Sequence, residues 1–345
     1  MTNKQQGIAA VQVFIGGACY GANATLCKMA FAQGFTWQQV VSCQMWFATA
    51  LFAVAMLVSF VRKGGWKPLG PKMILQVMAL GALTCLTSIL YYFAVSLLPV
   101  EVALTLLFQY TWIGLVIQVI TTKRAPKVHE VLAVLIILVG TVFASGVYRT
   151  GIVGYDPVGL VLGFLSAISC ALFLYFSGKV LAPCGKSQRG FVVCLGSALM
   201  SLTICPDFLV SGVVFEGIAP CGLIMGFFGM MLPVLLFGLG APHISPGMST
   251  VLASSELPSG LFVSMVVLAN PLGAMEWLGV AAILMGVVVS QFGVNVSFRK
   301  YAGGKNAPLA DDDEAADTHG EQAAGCRIGP VNRSAKESGE RNRGE

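Results

Sequence analysis

Charge is scarce in this sequence. Only 11% of its 345 residues are Asp, Glu, Lys or Arg, against about 25% in a soluble domain, which excludes an ordinary soluble protein. Histidine is nearly absent: His129, His243 and His319 are the three present, and their spacing makes no metal set. The ten cysteines include no CxxC pair. Cys19, Cys27, Cys43, Cys85, Cys170 and Cys194 lie inside apolar runs, which argues for small buried side chains rather than disulfides or a metal site. A phosphate-binding loop is missing too, because Gly185-Lys186-Ser187 lacks the glycine that GxxxxGK[ST] needs at Val180. With no nucleophile, base and acid in register, the sequence predicts neither an enzyme nor a cofactor.

What fills the chain is apolar: 56% of residues are hydrophobic and the mean hydropathy is +0.79. Residues 299–345 carry 8 Lys/Arg and 9 Asp/Glu, which leaves 13 and 7 for the first 298. The pattern is a membrane body with a soluble tail, and its lipid partner is the bilayer; the net charge of +5 lies in short clusters and does not signal nucleic acid. Runs of about 20 apolar residues, enough to cross the hydrocarbon, fall near 8–31, 38–61, 73–97, 100–121, 128–148, 157–182, 188–206, 218–241, 247–269 and 273–295. The sequence thus predicts an all-α membrane protein of ten transmembrane helices. Lys4 and Ala22-Asn23-Ala24 imitate a signal peptide, but the apolar run continues through Phe31, so this segment is expected to span.

Basic residues set the expected orientation. With the N-terminus inside, the cytoplasmic segments hold Lys4, then Arg62, Lys63, Lys67 and Lys72, then Lys123, Arg124 and Lys127, then Lys186 and Arg189, then Arg299, Lys300 and Lys305; the other side holds Arg149. Both termini are therefore expected in the cytoplasm of a multi-pass cell-membrane protein. The tail, with its Asp311-Asp312-Asp313-Glu314 run, is too polar to form a core and is expected to be a solvated, disordered cytoplasmic segment.

The chain resembles itself at an offset of 146. Leu106 pairs with Leu252, Gly114 with Gly260, Glu130 with Glu276, Ile137 with Ile283 and Gly140 with Gly286. The expected organisation is a first five-helix repeat at 1–148, a second at 149–298 and the tail at 299–345. Five spans is an odd number, so the second copy would run inverted, as in many secondary transporters.

Tyr20-Gly21-Ala22-Asn23 with Lys28 resembles the first-helix pattern of tryptophan, glycine, serine and asparagine followed by lysine in EamA-type members of the drug/metabolite transporter superfamily. Glu256-Leu257-Pro258, then Glu276-Trp277-Leu278-Gly279 and Gly286, resembles the signature of their second repeat, and Leu107 to Gly114 a variant of the first-repeat segment. The resemblance covers residues 8–295 and implies a secondary transporter, most simply an exporter, of a metabolite, amino acid or drug-like solute by alternating access. Two positions depart from it: Gln44 stands where many relatives have arginine, and Gln118 where they have an acid. An anion-binding role is therefore not carried over to Gln44. An uncoupled facilitator is the other transport reading, and a membrane-embedded enzyme or a non-transporting membrane partner the readings from other classes; a homodimer fits any of them.

Candidate substrate-binding residues are Asn23, Lys28 and Gln44, at positions the resemblance marks, and Tyr91, Gln109, Tyr110, Trp112, Tyr175, Ser255 and Glu256, polar or aromatic groups within the spans. Glu256 is the one acid deep within a span, where charge costs about 2.5–3.5 kcal/mol on insertion scales. It is the candidate for coupling to protons, with packing by a hydrogen-bonded carboxyl as the alternative. Pro258 removes a backbone bond nearby and is expected to free a carbonyl or to kink the helix. Repeat arithmetic sets Tyr110 opposite Glu256 and Gln109 opposite Ser255. Glu101, Thr105, Gln109 and Trp112 share one helical face at 100° per residue, which suits a wet cavity or interhelical hydrogen bonds. Lys28 either snorkels or lines a mouth, and Tyr91, Tyr92 and Tyr175 offer rings and hydroxyls to a site or to the core.

Overall fold

A computed structural model describes residues 3–63, 68–123, 125–147, 155–180, 183–268 and 273–303. Lys67, Arg124 and Arg149 of the charge count lie outside the described residues, as does the expected tail after 303. Of Glu101 only the backbone is described.

Among the described residues the regular structure is entirely helical. Seven helical stretches are long and apolar enough to cross a membrane: Gln5–Ala32, Trp37–Arg62, Pro71–Leu97, Val102–Thr122, Pro157–Lys179, Ala219–His243 and Pro246–Val267. The chain is accordingly a membrane-embedded all-α protein. Val128–Ala144 and Ala274–Ser290 are apolar but shorter. The expected span at 188–206 is a helix over Lys186–Ser201, and Pro206 opens a separate 3₁₀ turn, Pro206–Leu209. The two halves expected as domains pack into one compact unit, Met1–Lys300.

In chain order the helices are α1 (Asn3–Tyr20), α2 (Ala22–Ala32), α3 (Trp37–Lys63), α4 (Pro71–Leu97), α5 (Val100–Leu107), α6 (Tyr110–Thr122), α7 (Val128–Ala144), α8 (Pro157–Lys179) and α9 (Lys186–Ser201). There follow α10 (Ala219–Gly226), a π-helical turn (Phe227–Met231), α11 (Leu232–Gly240), α12 (Pro246–Ala253), α13 (Glu256–Leu268) and α14 (Ala274–Gly303). Proline begins α4, α8 and α12, where its missing N–H costs nothing. Ser245 caps α12 by accepting from the Met248 N–H at 3.2 Å, and Asp156 caps α8 by accepting from Val158 at 2.8 Å.

The 146-residue offset reappears in these boundaries. Shifting α5 and α6 by 146 gives the limits of α12 and α13 at both ends, and shifting Val128, the start of α7, gives Ala274, the start of α14. The breaks match as well. Gln109 N–H bonds to Leu106 O at 3.2 Å and Thr111 N–H to Phe108 O at 3.2 Å; Ser255 N–H bonds to Leu252 O and Leu257 N–H to Ser254 O, each at 3.3 Å. Each break is a tightened turn of i to i+3 bonds. Pro258 cannot supply the N–H that Ser254 O would take in a regular helix, and Leu257 takes up that carbonyl instead. The repeated glutamates have a common place too, since each sits in the first turn of its helix, where a negative charge meets the positive helix end.

Glycines let these helices close. A Cβ on Gly17 would lie 2.6 Å from Ala253 O, and one on Gly21 would run into the backbone of Glu256. The α1–α2 segment thus lies directly on the α12–α13 break, as close approach of small residues permits. Gly159 and Gly163, four residues apart like Gly17 and Gly21, receive Leu98 and Leu106, and Gly222 and Gly226 receive Cys43 and Phe47.

Candidate functional site

Two interrupted spans meet about halfway along their length. The first span breaks at Gly21, between α1 and α2. The span Pro246–Val267 breaks at Ser254–Ser255, so Glu256 opens α13 near its midpoint. Beside them lies a cavity of about 60 Å³, open at its mouth. Tyr20, Asn23 and Ala24 face it from the first break, Ala253 and Glu256 from the other, and Leu107 and Tyr110 from the α5–α6 break; α4, α8 and α11 complete the wall.

The wall is aromatic with a few polar groups. Tyr20 stacks on Phe237 with centroids 5.9 Å apart, and Phe173 meets Phe237 edge-on at 6.1 Å. Tyr91 and Tyr92 lie 5.7 Å apart, tilted. The Tyr20 hydroxyl is 3.3 Å from Thr84 Oγ1, and Thr87 donates to Ser169 Oγ at 3.0 Å.

Behind this wall runs a directed chain of hydrogen bonds. Tyr92 OH donates to Gln44 Oε1 at 3.1 Å, Gln44 Nε2 donates to Gly229 O at 3.1 Å, and Asn23 Nδ2 donates to the same carbonyl at 3.3 Å. Gly229 O is available because Pro233, four residues on, has no N–H to give it. A carbonyl only accepts, so the bond fixes the Asn23 amide with its nitrogen toward Gly229. Asn23 Oδ1 is left buried with no hydrogen bond. Glu256 makes no side-chain hydrogen bond or ion pair among the described residues, and no Lys, Arg or His lines the cavity.

Of the candidates read from sequence, Asn23, Tyr91, Tyr110 and Glu256 line this cavity, and Gln44 stands one layer behind it. The others lie elsewhere. Gln109 accepts from Trp112 Nε1 at 2.9 Å and donates to Thr105 O at 3.0 Å, so the two satisfy each other along their own segment, and Trp112 packs on Phe164. Ser255 is spent on a 2.6 Å bond to Phe14 O that ties the break to α1. Tyr175 packs on Phe176 with Lys179 Nζ 5.8 Å from its ring centre. Lys28 is half-buried on α2 outside the lining. Sequence reasoning missed Tyr20, Thr84, Phe173 and Phe237 as lining residues and left Tyr92, which lines the cavity too, between site and core; the position of Tyr20 just before Gly21 was the available signal for one of them.

Among the described residues no cluster of His, Cys, Asp and Glu could hold a metal ion. No family model matches the chain. A search of curated proteins gives no match. Solved structures do match: one, described only as "Crystal structure of protein", superposes with a TM-score of 0.61 at 16% identity, covering 85% of this chain and 98% of that one. The helical arrangement is therefore one that an experimental structure adopts.

Proposed function

We propose that this protein is a secondary transporter of the EamA-type branch of the drug/metabolite superfamily, with ten transmembrane helices in two inverted five-helix repeats. It moves a small organic solute across the cell membrane, most simply outward, by alternating access. One observation carries the reading: two half-broken helices related by the 146-residue offset, α5–α6 and α12–α13, flank a polar-and-aromatic cavity about midway along their spans. Interrupted helices at mid-membrane beside a cavity are the usual build of a carrier, and irregular backbone at that depth is tolerated where it lines such a cavity.

The helices α7 and α9 and the apolar stretch of α14, Ala274–Ser290, complete ten crossings. An even number of crossings places both termini on the side where the basic loops collect, the cytoplasm. Glu256, with no counter-ion, is the candidate coupling group: a carboxyl that alternates between two sides can carry a proton on each half-cycle.

Flux tests the proposal. Purified protein in liposomes should move a labelled solute in a saturable way, unaltered by passage. Chemical conversion of the solute would mean an enzyme, and saturable binding without movement would mean a membrane partner.

A further inference from the structure

We propose that the cavity selects a protonated primary amine on an aromatic or apolar body, and rejects the corresponding amino acid. The inference deepens the transporter reading and rests on it for the fate of the bound ligand.

Glu256 is the one charged side chain in the lining, among the hydroxyls of Tyr20, Thr84, Tyr91 and Tyr110, and it has no cation beside it among the described residues. A ligand that meets this carboxyl brings N–H donors and a positive charge, which an ammonium group does.

The rest of the wall agrees. Tyr20, Phe237 and Phe173 form a stacked and edge-on set, and ring faces of this kind attract ammonium groups and pack against apolar bodies. A second charge of opposite sign finds no place: among the described residues no Lys, Arg or His lines the cavity. A ligand carboxylate would be buried near Glu256 with no cation to pair it, the costly case.

The test holds the body constant and changes the head group. Purified full-length protein in detergent is titrated by calorimetry with 2-phenylethylamine, phenylalanine, phenylacetate and 2-phenylethanol. The inference expects 2-phenylethylamine to bind at least about 10-fold more tightly than the other three, a difference of about 1.4 kcal/mol. Glu256→Gln should erase that preference in protein that still elutes as a single species, and Glu256→Asp should keep most of it. Equal or tighter binding of phenylalanine, phenylacetate or 2-phenylethanol, or binding of none of the four, overturns the amine assignment whatever the liposome flux shows. Amine-selective binding together with no flux leaves the assignment standing and overturns the transporter reading instead.

Discussion

Tyr110 and Glu256 open two helices, α6 and α13, whose boundaries coincide at an offset of 146, and both residues line one cavity. Positions related by the offset thus present a phenol and a carboxylic acid. Such a site treats its two faces differently, and among the described residues the acid is the only carboxyl in the lining.

Replacing Glu256 by Gln preserves shape and removes the exchangeable proton. In a proton-coupled carrier the variant loses concentrative transport, keeps downhill exchange, and shows a flat rate profile between roughly pH 5.5 and 8, because glutamine has no exchangeable acid proton. Proteoliposome flux with and without an imposed pH gradient measures this. A wild-type gradient response from the variant would remove Glu256 from the coupling role.

The hydrogen-bond chain behind the cavity is open to a thermodynamic test. Tyr92→Phe deletes the donor to Gln44 Oε1 and leaves a buried acceptor unpaired, which should cost about 1–3 kcal/mol and lower the unfolding temperature in detergent. Tyr175→Phe, whose ring packs on Phe176 with no role in that chain, should change it far less. Equal shifts for the two variants would show that the chain contributes no specific stability.

Helix type, most helix boundaries and the offset could be read directly from the sequence, because apolar length and glycine spacing report on local geometry. The site was only partly legible. Glu256 and Asn23 stood out as polar groups in apolar runs, whereas Phe173 and Phe237 looked like any buried aromatic until tertiary packing set them beside Tyr20. Of the two readings of the polar stripe, the structure favours packing over a wet face, with Thr105 Oγ1 2.9 Å from Ser145 Oγ at the end of α7 and Trp112 against Phe164. The wet face assumed a continuous 100° wheel, but the helix ends at Leu107 and restarts at Tyr110, and Gln109 then bonds Trp112 rather than facing the cavity. The acceptor role of Gly229 hung on Pro233, a residue that reads in sequence as a kink.

Accessibility should follow the cavity rather than the stripe. Cysteine placed at Asn23, Tyr91 or Tyr110 should react with a small thiol reagent and be protected by bound solute, whereas cysteine at Gln109 or Ser255 should show no solute-dependent protection. Measuring labelling rates in a background with the native cysteines replaced decides this. Protection at Gln109 equal to that at Tyr91 would place the binding site on the α5–α6 stripe.

Reciprocal packing across the offset gives the last prediction. A Cβ on Gly286 would lie 2.7 Å from Ile137 Cγ1 and 2.9 Å from Ala133 O, and one on Gly140 would lie 2.9 Å from Ile283 Cγ1 and 2.9 Å from Gly279 O. Ala133 and Gly279, Ile137 and Ile283, and Gly140 and Gly286 are pairs at the 146-residue offset, so these contacts between α7 and α14 occur twice with the partners exchanged. Gly140→Val and Gly286→Val should therefore destabilise the protein to a similar degree, by about 1–3 kcal/mol each for overpacking. Because both side chains push the same two helices apart, the double variant should cost less than the sum. Thermal unfolding of the two single variants and the double variant in one detergent measures this. Strict additivity, or a large effect from one glycine and none from the other, would mean that α7 and α14 are not held by a symmetric contact.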